Sequence, residues 1–130
     1  MSKVKHKNTQ PEKIIRSLIH QMGYRFRLHQ PDLPGKPDIV LPKYRKIILV
    51  NGCFWHGHEN CPRAKLPKNN NNFWLKKIES NKNRDRDNIN ALKKLGWEVM
   101  VIWQCEIKNQ IEIQQRLKIF INDFKGEKAE

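Results

Sequence analysis

The sequence predicts a single α/β domain in which helices pack on a mixed sheet. The chain has 130 residues, which is enough for one domain with its own core. An apolar pattern at helical spacing precedes Gly23, and short apolar runs typical of strands follow at 39–41, 46–51 and 97–103. The resulting order is helix, three strands, helix, strand, helix, and it predicts an α/β sandwich that spans residues 1–130.

The first helix begins at "TQPE". Thr9 can cap the helix, and Glu12, three residues after Thr9, completes a capping box. Pro11 suits the first turn of the helix. The capping box accounts for Glu12 without any catalytic role. The apolar residues at 3.6-residue spacing are Ile14, Ile15, Leu18, Ile19 and Met22. Residues 1–8 are basic and polar, and we expect them to form a mobile arm.

Three strands should follow the first helix. "YRFRLH" (24–29) alternates as a strand does, and "PDLPGKPD" (31–38) is a turn-rich loop. The runs "IVL" (39–41) and "KIILVN" (46–51) are joined by "PKYR", which predicts a hairpin.

The second half begins with a polar loop at 62–72, whose "KNNNN" run is typical of a solvated linker. A long helix is predicted over 73–95, with Asn72 as its cap and Gly96 as its stop. "WEVMVIW" (97–103) predicts a buried strand, with Trp97 and Trp103 as core residues.

A last helix is predicted over 110–124, and residues 125–130 should form a frayed tail. We expect five apolar side chains of this helix to face the core: Ile111, Leu117, Phe120, Ile121 and Phe124.

The formal net charge of +13 indicates a polyanionic partner, with nucleic acid as the first candidate. A soluble, self-repelling surface is the alternative. The chain has neither an apolar run of membrane-spanning length nor an apolar signal-peptide core, which predicts a cytoplasmic protein without a membrane partner. In a reducing compartment, three clustered cysteines indicate metal binding or chemistry before disulfides.

The stretch "NGCFWHGHENC" contains the spacing C-x4-H-x2-C in Cys53, His58 and Cys61. Zinc favours such ligands, and Cys105 would complete a closed structural site if the strands at 46–51 and 98–103 are neighbours. Spacing alone allows either His56 or His58 as the histidine ligand. Three free buried thiols are the alternative.

The catalytic candidates are acidic side chains and a histidine. Asp38 begins a strand beside a loop, where a carboxylate could hold Mg²⁺, although a simple turn residue is equally consistent. Asp85 shares its helical stripe with Trp74, Ile78, Ile89 and Leu92, so it should face inward, as a site residue or in a structural ion pair. "FWH" (54–56) offers two aromatics for base stacking beside a histidine that can move a proton, although Phe54 and Trp55 could instead be core residues.

The segments "LPGKPDIVLPKYRKIILVNGCFWHGHENC" and "FWLKKIESNKNRDRDNINALKKLGWEVMVIWQCE" resemble the Vsr very-short-patch-repair endonucleases. The match covers the chain from "NTQPE" to Cys105, and "GCFWH", "RD" and "W-x-C-E" are specific in combination. The resemblance implies a restriction-endonuclease-like fold with a structural zinc. It also implies Mg²⁺-dependent nicking of duplex DNA on the 5′ side of the thymine in a T·G mismatch, where 5-methylcytosine has deaminated.

The resemblance also implies roles for individual residues. Asp38 would bind Mg²⁺ together with the backbone carbonyl of Val50, and His56 would be the catalytic histidine and general base. Asp85 would support the active site through contact with a histidine, and Glu12 would be an auxiliary acid. The zinc ligands would be Cys53, His58, Cys61 and Cys105. The aromatic wedge beside the mismatch would be Phe54, Trp55 and Trp74.

The chain departs from the family pattern at three positions. Asn51, a further catalytic-site candidate, stands where members commonly have a histidine, and an amide cannot exchange a proton at neutral pH. Met1 falls where the family's minor-groove methionine would be, with no arm before it. Asn60 adds one residue to the zinc loop relative to some members.

Duplex DNA with a T·G mismatch is therefore the expected partner of a monomeric, nucleoid-associated enzyme. Cooperation with a MutL-type mismatch-repair factor follows by analogy. Two alternatives stay open: a nickase of the same fold that has a restriction-like or damage target, and a zinc-stabilised DNA-binding domain that has lost catalysis.

Overall fold

A computed structural model of the chain describes residues 9–66, 68–69 and 71–123. Within these residues it contains four strands and three α-helices. In chain order they are α1 (Gln10–Gln21), β1 (Arg27–Leu28), β2 (Ile39–Leu41), β3 (Lys46–Asn51), α2 (Asn71–Lys94), β4 (Glu98–Trp103) and α3 (Gln110–Ile121). None of the described helices is both long and apolar enough to cross a membrane.

The strands form one mixed sheet in the order β1-β2-β3-β4. The neighbours β1 and β2 are antiparallel, as are β2 and β3, so the predicted hairpin is confirmed. Strands β3 and β4 are parallel, and their register runs from Lys46 opposite Glu98 to Asn51 opposite Trp103. The segments that follow β3 and β4 therefore leave the sheet at the same end, which is the arrangement that a zinc site shared by Cys53 and Cys105 requires.

Helices cover both faces of the sheet because successive strand residues point to opposite sides. On one side, Leu92 of α2 packs over Val40 and Ile47. On the other side, α1 and α3 pack against the alternate strand residues, in a core that includes Ile15, Leu18, Ile19, Ile39, Ile48, Ile102, Ile113, Leu117 and Ile121. The arrangement confirms an α/β sandwich with a mixed sheet.

The helix ends follow the local sequence signals. The hydroxyl oxygen of Thr9 accepts the backbone N–H of Glu12 at 3.4 Å at the start of α1. Gly96 adopts a φ of +96° just after α2, where a side chain would be strained. The N–H of Gly96 donates to Lys93 and that of Trp97 to Leu92, at 3.0 and 3.1 Å, which closes the end of α2.

Several predicted element bounds are wrong, among them the end of the last helix, which is predicted at 124 and lies at Ile121. The strand expected over 24–29 is formed only at Arg27–Leu28. Its C-terminal end stops because His29 takes a φ of +44°, outside the β region. Helix α2 begins at Asn71, so Asn72 lies inside the helix and is not its cap.

Three burial predictions also need correction. Strand β4 begins at Glu98, and apart from Ile102 its residues are only partly buried, because β4 lies at the edge of the sheet. Trp97 is half-buried beneath the guanidinium of Arg45, at 4.3 Å. Ile111 is 74% exposed, since Ile113, Leu117 and Ile121 form the inward face of α3.

The predictions for residues 1–8, Phe124 and 125–130 lie outside the described residues.

Candidate active site and metal centre

A cavity of about 730 Å³ opens where β2 begins and β3 ends. We call it the first cavity. Five residues that the sequence singled out line it, namely Asp38, Val50, Asn51, His56 and Asp85. The sheet brings Asp38 and Val50 together because they lie at neighbouring positions of the β2–β3 hairpin, and the segment after β3 brings His56 to α2.

Asp38 is held by the strand beside it. Its carboxylate oxygen Oδ2 accepts the backbone N–H of Val50 at 2.8 Å. Burial raises the pKa of Asp38 to about 6, and the nearby negative charge of Glu12 also raises it, while the Val50 N–H lowers it. A carboxylate that is costly to keep charged favours a cationic partner.

His56 and Asp85 form a pair across the cavity. The ring nitrogen Nδ1 of His56 lies 2.5 Å from Oδ2 of Asp85. An imidazole that donates from Nδ1 presents Nε2 as an acceptor, which is the tautomer a general base needs. The side chains of His56 and Asp85 are 29% and 27% exposed. Asp85 is therefore less buried than its place on the apolar stripe of the helix predicts, although its carboxylate does contact His56.

Glu12 has a different environment from the one that a capping box predicts. Its side chain is 2% exposed, and Oε2 contacts Nε2 of His29 at 2.7 Å and the guanidinium of Arg16. The ligand atoms of Glu12, His29 and Asp38 all lie within 4.8 Å of one another. The capping box was therefore an insufficient account of Glu12, because its carboxylate faces the site and not only the start of α1.

His29 is a site residue that the sequence argument missed. Its side chain lines the first cavity, and its backbone N–H donates to the carbonyl of Asp38 at 3.2 Å. The available signal was its position at the end of "YRFRLH", directly before the loop that leads to Asp38. Lys36 and Asn88 also line this cavity and were not predicted.

The four predicted zinc ligands lie together. The sulfurs of Cys53, Cys61 and Cys105 and a ring nitrogen of His58 are all within 4.8 Å of one another. Three sulfurs and one imidazole are a donor set typical of tetrahedral structural zinc. Spacing alone allowed either His56 or His58 beside the cysteines. In the structure His58 lies with the three cysteines, whereas His56 contacts Asp85.

The Cys53 thiol of this cluster holds its proton tightly. Burial raises the pKa of the Cys53 thiol to about 12; a backbone hydrogen bond with Cys105 lowers it, and side-chain hydrogen bonds with Cys105 and Cys61 raise it. The Cys53 thiolate that zinc requires is therefore unfavourable without the metal. Asn60, the extra residue of the loop, takes a φ of +58°, a conformation that asparagine tolerates better than most residues.

Trp103 packs on His58 of the Cys/His cluster and is not a buried core residue. Its ring stacks on His58 with centroids 4.1 Å apart and an interplanar angle of 7°. The side chain is partly buried. The prediction that Trp103 is a simple core residue is therefore wrong, because its ring packs on His58 of the loop that follows β3.

The three predicted wedge aromatics form one cluster. The ring centroids are 5.3 Å apart for Phe54 and Trp55, 5.4 Å for Phe54 and Trp74, and 5.7 Å for Trp55 and Trp74. The side-chain amide of Asn81 donates to the carbonyl of Trp55 at 2.9 Å and ties the loop to α2. Met1, the fourth predicted DNA contact, lies outside the described residues.

Known proteins resemble this chain over most of its length. The family model described as DNA mismatch endonuclease Vsr matches residues 1–63. The type II nicking enzyme V.XorIIP of Xanthomonas oryzae pv. oryzae is 51% identical, over 91% of this chain and 86% of the relative. The type II nicking enzyme V.NmeAIP of Neisseria meningitidis serogroup A is 41% identical, over 96% of this chain and 89% of the relative.

The DNA mismatch endonuclease Vsr of Escherichia coli K12 is 40% identical, over 85% of this chain and 70% of the relative. A relative above 30% identity that is matched over more than two thirds of its length shares the family, not only the fold. The chain is accordingly a DNA endonuclease that belongs to the Vsr family.

Proposed function

We propose that the chain nicks duplex DNA on the 5′ side of the thymine in a T·G mismatch, with Mg²⁺ as the catalytic ion. The observation that carries this proposal is the first cavity, where Asp38 faces the His56–Asp85 pair. Hydrolysis of a phosphodiester needs a cation on the phosphate and a base for the attacking water. This one cavity offers residues for both tasks.

The carboxylate of Asp38 and the backbone carbonyl of Val50 are oxygen donors of the kind that Mg²⁺ prefers. Bound Mg²⁺ would neutralise charge on the phosphate and lower the pKa of a coordinated water. Because the pKa of Asp38 is raised to about 6, protons compete with the cation for this carboxylate below that pH. Activity should therefore fall in mildly acidic solution.

His56 is proposed to take the proton from the attacking water at Nε2. As the water oxygen bonds to phosphorus, the bond from phosphorus to the leaving sugar oxygen breaks, and that oxygen takes a proton from solvent and leaves as a hydroxyl. Asp85 holds Nδ1 and stabilises the imidazolium that forms. The amide of Asn51 can hydrogen-bond a phosphate or water, and Glu12 is proposed as an auxiliary acid that faces Asp38.

The zinc loop is proposed to place both the base and the wedge. Zinc at Cys53, His58, Cys61 and Cys105 would fix the loop that also carries Phe54, Trp55 and His56. The exposed parts of the aromatic cluster would then stack on bases beside the mismatch. The enzyme is proposed to act as a monomer, with a MutL-type factor as a partner by analogy with mismatch repair.

A second candidate is a nickase of the same fold that does not require a mismatch. Two relatives at 51% and 41% identity are type II nicking enzymes, which favours this candidate. A DNA-binding domain that has lost catalysis is disfavoured, because Asp38, His56 and Asp85 all line one cavity.

Cleavage of end-labelled duplexes separates the two candidates. One duplex carries a central T·G pair and the other a T·A pair in the same sequence. A nick only in the T·G duplex, on the 5′ side of the thymine, supports mismatch repair. Equal nicking of both duplexes would keep the nuclease and discard the mismatch specificity.

A further inference from the structure

A second cavity of about 590 Å³ lies directly beside the first. Asn51, His56 and Asp85 line both cavities, so the His56–Asp85 pair forms the partition between them. The second cavity opens over β4, where Val101 and Trp103 form part of its lining. A polymer with a reacting group in the first cavity could therefore continue into the second.

The second cavity has a cationic wall that consists of Lys82, Arg86 and Lys93. All three belong to α2, at spacings of four and seven residues, which places them on one face of the helix. Eleven residues of helix extend about 16 Å, roughly the axial length of five nucleotides in one strand of a duplex. The wall is thus long enough for several consecutive phosphates.

The acidic groups near this wall are exposed and few among the described residues. Glu59 lies 3.5 Å from Lys82 and is 79% exposed, and Asp87 lies 3.9 Å from Arg86 and is 75% exposed. Exposed ion pairs of this kind are weak, so a phosphate can displace them. Asp85 is engaged by His56.

We propose that the second cavity binds backbone phosphates of the cleaved strand next to the scissile phosphate, through Lys82, Arg86 and Lys93. The inference rests on the proposed function, since it takes the first cavity as the place of cleavage. A strand that crosses the His56–Asp85 partition leaves its reacting phosphate near Asp38 and brings the adjoining phosphates to α2. These contacts are independent of sequence and therefore apply to matched and mismatched duplexes alike.

The test compares two triple variants that lose the same charge. One is Lys82→Gln, Arg86→Gln and Lys93→Gln on the cavity wall. The control is Lys13→Gln, Lys43→Gln and Lys118→Gln, three exposed lysines that do not line either cavity. Binding of a matched duplex without divalent cations is measured by fluorescence anisotropy over a range of salt concentrations, and thermal melts check that both variants fold.

In the wall variant the slope of log Kd against log salt concentration should be smaller by about 2 to 3, because each lost phosphate contact removes about 0.9 from the slope. The control should change the slope by less than about 1, since only diffuse charge is lost. The opposite change, Glu59→Gln, frees Lys82 and should tighten binding.

Equal slope changes in the two triple variants would overturn the proposal, as would weaker binding by Glu59→Gln. Neither measurement involves cleavage. A failure of the cavity proposal is therefore distinguishable from a failure of the proposed function, which would appear as wild-type protein that binds DNA and does not nick it.

Discussion

At the residue scale, Asp38 shows how a site can reduce stability to provide chemistry. Its carboxylate has a pKa raised from 3.8 to about 6, so the folded protein holds this proton more tightly than the unfolded chain does. An acid with a raised folded pKa weakens the fold at neutral pH. This destabilisation decreases as the pH falls from about 6 toward 3.8, because below that pH Asp38 is protonated in the folded and the unfolded protein alike.

Asp38→Asn should therefore stabilise the protein in the absence of Mg²⁺. A shift of about two pKa units corresponds to roughly 1–3 kcal/mol of unfolding free energy at pH 7. The gain should shrink toward zero below about pH 4, which urea melts at several pH values would measure. The matched control is Asp32→Asn at an exposed position of the same loop, and a destabilised Asp38→Asn at pH 7 would contradict the electrostatic account.

The His56–Asp85 pair leads to a second residue-scale prediction. Asp85→Asn should lower the nicking rate by about 10- to 1000-fold, since the imidazole loses the group that fixes its tautomer. DNA affinity should stay within about threefold, because a pair that acts on the proton contributes little to phosphate binding. The measurement is single-turnover cleavage with parallel binding.

Asp87→Asn is the control for this prediction, since Asp87 lies on the same helix and is 75% exposed. It should nick DNA at the wild-type rate. Equal loss of activity in both variants would remove the special role of Asp85.

Sequence reasoning reached these residues unevenly. Asp38, His56 and Asp85 stand in recognisable local patterns, so they could be predicted. Glu12 and His29 could not be predicted as a pair, because their contact joins residues 17 positions apart and depends on how the chain turns back after α1. A capping box is a local explanation, and it concealed the tertiary role of Glu12.

At the element scale, the segment after β3 connects the sheet to the site. It carries Cys53, His58 and Cys61 to Cys105, which follows β4, and it also carries His56 to Asp85. Because β3 and β4 are parallel neighbours, one cluster of ligands can tie both strand ends together. A metal here would stabilise the loop and the active site together.

Zinc removal is therefore expected to destabilise the protein. Purified protein should contain about one zinc per chain, and a strong chelator or Cys105→Ser should lower the melting temperature by about 10 °C. Returning zinc to chelated protein at pH 7 should release protons, because burial raises the pKa of the Cys53 thiol to about 12 and zinc binds the thiolate form.

Metal analysis, thermal melts and calorimetry in buffers of different ionisation enthalpy would measure these effects. Protein that holds no zinc, and a Cys105→Ser variant that melts at the wild-type temperature, would exclude a structural metal.

Element boundaries were predictable where the signal is local. Thr9 and Gly96 mark helix ends through contacts with residues a few positions away, and the structure confirms both. The inward face of α3 was not predictable in the same way. Ile111 and Ile113 both suit an apolar helix, and only packing against α1 and the sheet selects Ile113.

At the scale of the whole molecule, charge and topology act together. The net charge of +13 attracts a polyanion from any direction, but it does not say where the polyanion binds. The strand order places the start of β2, the end of β3 and one face of α2 around two adjoining cavities. The sequence predicted the order of elements and the mixed sheet, whereas the partition between the cavities depends on tertiary contacts that no periodicity encodes.

Single-turnover cleavage would show whether the first cavity is the nuclease active site. Wild-type and Asp38→Asn protein are each incubated with an end-labelled T·G duplex, with Mg²⁺ or without it, and binding is measured in parallel. We expect a Mg²⁺-dependent nick by wild-type protein and a loss of at least about 1000-fold in Asp38→Asn with binding retained. Nicking by Asp38→Asn at the wild-type rate, or tight binding by wild-type protein without any Mg²⁺-dependent nick, would contradict this expectation.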